Sequence, residues 1–252
     1  MVLRRDGEGD GEGAIAIGQP SHAWLSGQLA RAWEPRPEPF EEICLAAEQH
    51  DVGMAEWDLA PTLNRDTGLP HSFMEMPLDV HLELWSAAAS KLVPQSAHAA
   101  LLVSMHGTAL YRMRDLDRMS PADADKVRRF FGEREAEQDG LLAALGLTRD
   151  EVRAGQRLVW TLDYLSLALC LDWAPTVARG APLASGEGDL RIEPAGEDRV
   201  TLDPWPFAGD SLTVRCEGRR LAGGWSGEAE MRAALASAPV VPLLWELRAK
   251  DV

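Results

Sequence analysis

The chain has 252 residues, 46% of them hydrophobic and 26% charged, a composition that fits a globular protein and excludes disorder over most of its length. Its longest apolar run, residues 164–171, is far short of the roughly 20 residues that cross a bilayer. A formal net charge of −15 excludes duplex DNA or RNA as the main partner, because neutralising phosphates supplies most non-specific affinity. Cys44, Cys170 and Cys216 stand far apart without CxxC spacing, and Arg4 and Arg5 lead into acid and glycine rather than an apolar stretch. Both features predict a cytoplasmic protein.

Residues 1–13, rich in Gly, Asp and Glu, are expected to form a disordered acidic tail. Ala14–Ile17 is compatible with a short strand. Pro20-Ser21-His22 opens a helix, with Ser21 as its N-cap and an apolar stripe from Trp24, Leu25, Leu29, Ala32 and Trp33. The Pro-rich stretch 35–39 ends it. In the next helix Phe40, Ile43, Ala47 and His50 share a face; its last turn delivers His50 and Asp51 together, and Gly53 stops it. Residues 57–76, with Pro61, Gly68 and Pro70, read as a long functional loop. Helices are predicted over Leu78–Leu92, 96–110 and 121–139, a further turn over 148–154, and an apolar helix over 158–171. Beyond Pro175 the segments 191–193, 199–202, 211–216 and 243–247 have strand character, with Glu228–Ser237 as a helix before the last. The predicted fold class is mainly α: a helical domain over 14–178, with a small β-rich C-terminal extension, 179–252, packed on it.

All six histidines fall between residues 22 and 106. Asp163 lies in the apolar stretch Val159-Trp160-Thr161-Leu162-Asp163-Tyr164-Leu165, with Ser166 and Cys170 three and seven residues on. A carboxylate on a buried helix costs several kcal/mol unless a metal, a cation or hydrogen bonds compensate it. A metal ion, an arginine such as Arg157, or the backbone of a loop that Asp163 caps meets that need. Adjacent residues on a helix point about 100° apart, so His50 and Asp51 converge on one ion only at a helix end or between helices. Imidazole with carboxylate suits Mn, Fe, Co, Ni or Zn better than Mg or Ca. Arg65, in Asn64-Arg65-Asp66-Thr67-Gly68, is one of six bases among residues 1–111 and a candidate phosphate contact. No GxxxxGK[ST], GxGxxG or GxSxG motif is present.

His22, then His50-Asp51, then Asp163 resemble in order the HD superfamily of metal-dependent phosphohydrolases. The local patterns Glu48-Gln49-His50-Asp51-Val52-Gly53 and Leu162-Asp163-Tyr164-Leu165 carry the likeness. More widely, residues 19–33, 46–57, 61–73 and 101–111 resemble a bacterial domain-of-unknown-function family, number 3891. The HD resemblance implies an HD-like helical bundle in which His22, His50, Asp51 and Asp163 hold one divalent transition ion. It places His81 and His106 where some HD enzymes carry extra histidines that build a second metal site and hold substrate phosphate. Asp51 and His106 are then the catalytic candidates, and His81 and Arg65 the substrate-binding ones. The implied activity is hydrolysis of a small phosphate ester or a nucleotide, with no membrane partner and the oligomeric state open. Two alternatives stand beside it. Met54 occupies the position where phosphatase branches often carry lysine, which, with the β-rich tail, favours a non-catalytic ligand-binding or sensor domain. A diiron oxygenase on the same scaffold is the other.

Overall fold

The computed structural model describes residues 1–5 and 13–250. In chain order the elements are β1 (Val2–Arg5), β2 (Ala14–Ile17), α1 (Gln19–Ala32), α2 (Phe40–Gln49), α3 (Ala55–Leu59), β3 (Leu63–Asn64), β4 (Leu69–Pro70), α4 (Leu78–Leu92), α5 (Ala97–Arg112), α6 (Pro121–Leu145), α7 (Arg149–Cys170), β5 (Thr176–Leu183), β6 (Gly186–Gly196), β7 (Arg199–Asp203), β8 (Ser211–Leu221), α8 (Glu228–Ser237) and β9 (Val240–Ala249).

Short polar side chains start the long helices. Ser96, Ser120 and Thr148 accept the backbone N–H of Ala99, Asp123 and Glu151, and Glu151 completes a capping box on α7. Gly146, in the left-handed conformation, ends α6. The two segments expected at 148–154 and 158–171 are one continuous helix, α7, whose buried face carries Leu158, Leu162, Leu165 and Leu169. No helix of the described residues is long and apolar enough to cross a membrane.

The mainly α, all-helical-bundle expectation is overturned. Among the described residues seven strands form one mixed sheet, in the order β1-β2-β8-β9-β7-β6-β5. Only β7 and β9 run parallel; the other neighbours are antiparallel. Two strands come from the N-terminus: β1, inside the stretch expected to be a disordered tail, and β2. Ala14 of β2 pairs with Leu221 of β8, a partnership that no local pattern announces. Residues 6–12 of that tail lie outside the described residues. β5 was hidden by Gly180 and Pro182, which read as turn signals. The strand absorbs them in a bulge between Ala178 and Ala181, where Gly180 takes φ +64. The expected loop at 57–76 contains α3 and the β3–β4 pair.

Sheet and helices share one hydrophobic core, in which Ile17, Leu25, Leu102, Leu162, Val214 and Trp245 belong to the same buried cluster. The helices α1 and α7 form the layer against the sheet, α1 on β8 and α7 on β5. The contact of α1 with β8 is also polar. Near Ser211–Leu221 the strand pairs with β2 only over residues 218–221, which leaves backbone groups upstream of that point facing α1. The Ser21 hydroxyl donates to the Glu217 carbonyl at 2.7 Å and accepts the Glu217 N–H at 3.0 Å. Two turns on, the Gln28 amide makes the same reciprocal pair with Arg215, at 2.7 and 3.1 Å. Ser21 therefore does not cap α1, as the sequence suggested. Gly18 precedes the helix, Pro20 sits in its first turn, and Ser21 extends the sheet's hydrogen bonding onto the helix.

If the sheet is part of this core, a chain cut after Ala174 loses the cover of α1 and α7 and aggregates. Size-exclusion chromatography with light scattering reads this directly. A soluble, monodisperse fragment with undiminished helical circular dichroism would show that the helices fold without the sheet.

Candidate metal centre

Four helical segments bring one donor set together. His22 lies in the first turns of α1. His50 and Asp51 leave the end of α2, where the backbone turns from αR at His50 (φ −57°, ψ −31°) to φ −102°, ψ 19° at Asp51. That turn lets two adjacent side chains converge. Asp163 projects from the middle of α7, and His106 approaches from α5. All five side chains are buried.

Gly53 fixes where the His-Asp turn sits. A Cβ there would stand 2.4 Å from the Leu84 carbonyl oxygen, so only glycine lets the turn press against α4.

The hydrogen bonds fix the tautomers of two histidines. Ser166 donates its hydroxyl to the Asp163 carbonyl (2.8 Å), so its oxygen accepts from His22 Nδ1 at 2.9 Å. His50 Nδ1 donates to the Ala47 carbonyl at 2.8 Å. With Nδ1 as the donor, each neutral ring turns its Nε2 lone pair toward carboxylate oxygen. His22 Nε2 lies 2.6 Å from Asp51 Oδ2. His50 Nε2 lies 3.2 Å from Asp163 Oδ1 and 3.5 Å from Asp51 Oδ2, without hydrogen-bond geometry to either. Lone pairs at such range repel unless a cation, a proton or a metal ion, lies among them.

The electrostatics express the same demand. Burial alone would depress the His50 pKa, but the Asp51 and Asp163 carboxylates push it up to about 9. Despite burial, the Asp163 carboxyl is held below the usual range by His50 and His106, and that of Asp51 by His50 and His22.

The donors fit a divalent ion. With ligand bonds of about 2.1 Å, neighbouring donors stand roughly 3.0–3.4 Å apart. Donor atoms of His22, His50 and Asp163 all lie within 4.8 Å of one another, close enough to bind one metal ion. His106 adds two buried ring nitrogens without hydrogen-bond partners among the described residues, its Nε2 being 3.4 Å from Asp163 Oδ2. Nδ1 of His22 and His50 is anchored by a hydroxyl and a carbonyl, the outer support usual for metal-binding imidazoles.

The arginine alternative for Asp163 does not hold. Arg157 donates to the carbonyls of Arg179 and Gly180 on β5, and the neighbours of Asp163 are histidines. Arg65 sits exposed at the β3–β4 turn, away from the cluster. His81 is close by but engaged: Trp85 Nε1 donates to its Nε2 at 3.0 Å, and its Nδ1 meets the Tyr111 hydroxyl at 2.5 Å. His71 bonds Thr62, away in the loop.

Beside the cluster lies a cavity of about 230 Å³ that reaches His22, Asp51, His106 and Asp163. Its other walls include Trp85, which the sequence reading favoured as a core residue, and Gln19 and Arg114, which it did not single out. Trp85 alone left a signal, standing four residues after His81 on one helix face. The side-chain oxygen of Gln19 is buried there without a partner among the described residues.

A helical layer on a mixed sheet, with a buried His/Asp cluster able to hold a metal ion, defines the molecule. The family model described as "Protein of unknown function (DUF3891)" matches residues 1–223, and the chain belongs to that family. No curated protein and no solved structure matches it.

Two substitutions test how the centre is held. Ser166→Ala removes the acceptor for His22 Nδ1 and should weaken metal binding about 10- to 100-fold, by competition with a chromophoric chelator, while the metal-free melting temperature changes little. Gly53→Ala should destabilise the metal-free protein by about 1–3 kcal/mol in urea unfolding, since the Leu84 backbone must move.

Proposed function

We propose that this protein is a metal-dependent phosphohydrolase acting on a small phosphate ester, built on an HD-like donor set. The observation that carries the reading is the pair of Nε2 lone pairs, on His22 and His50, aimed at two buried carboxylates beside a cavity. The residue order His, His-Asp, Asp supports it independently. Manganese, iron, cobalt, nickel or zinc, as one or two ions, suits these donors. Bound there, such an ion would polarise a phosphoryl oxygen and lower the pKa of a water molecule toward neutrality.

The chain's own groups supply the rest. His22, His50, Asp51 and Asp163 would hold the ion from α1, α2 and α7. The Ser166 hydroxyl and the Ala47 carbonyl keep the two imidazoles turned the right way. Asp51, at the cavity wall, accepts the proton of the attacking water. His106, with both nitrogens uncommitted, gives a proton to the departing alcohol as the phosphorus–oxygen ester bond breaks. Phe73, Trp85 and Leu167 give the cavity apolar walls.

The test is elemental analysis of untagged protein, followed by hydrolysis of p-nitrophenyl phosphate with each metal added back. Wild type should carry metal and release p-nitrophenol. The double variant His50→Ala/Asp51→Ala should lose the metal and at least about 100-fold of the rate, with its helical circular dichroism retained. Metal without turnover on any phosphate ester would favour the sensor alternative. Unchanged metal content in the double variant would remove the HD-like reading altogether.

A further inference from the structure

We infer that Arg114 is the residue that holds the phosphoryl group in the metal cavity, and that the substrate is a small phosphate monoester with an apolar body. The inference rests on the phosphohydrolase reading above and assigns its substrate class.

With one ion bound, charge balance calls for such a residue. Two carboxylates, Asp51 and Asp163, neutralise one divalent ion, so the centre by itself offers no net positive charge to a phosphate dianion. The chain has Met54, buried, immediately after Gly53, where a lysine would otherwise supply that charge. His81 lines the cavity but stays neutral: burial, with Arg114 nearby, lowers its pKa to about 4. Because His81 Nε2 accepts from Trp85, its Nδ1 carries the proton and donates it to Tyr111. Arg65 is not among the cavity-lining residues.

Arg114 is placed for the task. It lines the same cavity as His22, Asp51, His106 and Asp163. Its guanidinium carbon stands 4.7 Å from the centroid of the Tyr111 ring, a cation–π contact that orients the fork without neutralising it. Tyr111 is fully buried and fixed by His81, so this platform is rigid. Arg114 has no ion-pair partner among the described residues, whereas Arg112, two residues earlier, is paired with Glu135 at 2.6 Å. In a chain with 40 acidic residues and 25 basic ones, a guanidinium on the cavity wall with no ion-pair partner among the described residues is suited to an anion. A planar fork suits phosphate oxygens in particular. Phe73, Trp85, Leu110 and Leu167 line the same cavity, and their apolar side chains and its volume of about 230 Å³ suit a small apolar body.

Metal-loaded wild type, Arg114→Gln, Arg114→Lys and Arg65→Gln are titrated with inorganic phosphate and with benzoate by calorimetry, with metal content measured on the same samples. Phosphate affinity should fall about tenfold or more in Arg114→Gln and less in Arg114→Lys. It should not change in Arg65→Gln, and all four should hold equal metal. Arg114 lies on the surface, and melting temperatures check that its variants fold; should the glutamine variant melt early, the lysine variant carries the comparison. Equal phosphate affinity in wild type and a folded Arg114 variant overturns the role of Arg114 and leaves the phosphohydrolase reading standing. Metal-loaded wild type that binds benzoate but not phosphate, or neither, overturns the substrate class and that reading together.

Discussion

Two buried carboxylates and two imidazole lone pairs turned toward them cannot coexist unless positive charge lies among them. That constraint on Asp51, Asp163, His22 and His50 organises the molecule. The donors come from α1, the end of α2 and α7, and 141 positions separate the first from the last, from residue 22 to residue 163. Each segment must be held independently before the four side chains meet. The holding is done by groups outside the cluster: Gly53 pressed against the Leu84 carbonyl, Ser166 beneath His22, and the Ala47 carbonyl beneath His50. Metal affinity in such an arrangement is inseparable from tertiary folding, because no preformed site survives in the unfolded chain.

The donor set was legible in the sequence because its members violate local expectation. Asp163 is a charge in an apolar helix, and such a charge needs compensation whatever the fold. His50-Asp51 stands at a helix end just before a glycine, the one place where adjacent side chains converge. Both arguments are local in character. The surroundings were less legible. Arg114 is one of many charged residues after residue 111, and nothing in its neighbours distinguishes it. What sets it apart, among the described residues, is the lack of a carboxylate partner and of another Arg or Lys on the cavity wall, and both are properties of the folded surface. His81, expected from the resemblance as a substrate-binding residue, has both ring nitrogens engaged by Trp85 and Tyr111, a feature of the fold that no local pattern announces.

The fold was misjudged for a related reason. Helical periodicity repeats within a few residues, so α4 and α5 could be placed to within about two positions. Strand pairing is a long-range relation. The four-residue strand β2 joins the sheet through β8, some two hundred residues later, and β1 joins it only through β2, while β5 carries a glycine and a proline that imitate a turn. A sheet assembled from both ends of a chain leaves a weak trace in either end alone.

That misjudgement matters for the site, because the sheet is part of its scaffold. An HD-like donor set suggests that helices packed on helices suffice to place the ligands. Here α1 takes its seat from β8. Ser21 and Gln28 each satisfy one N–H and one C=O of that strand, so the helix cannot slide or rotate about its axis without leaving backbone groups unpaired. Ser21 immediately precedes His22. The register of the sheet is therefore transmitted through one peptide to the ring that faces Asp51, while Ser166 of α7 clamps the other side of that ring. A strand that looked like an appendage in the sequence sets the position of His22, a member of the candidate metal centre near the opposite end of the chain.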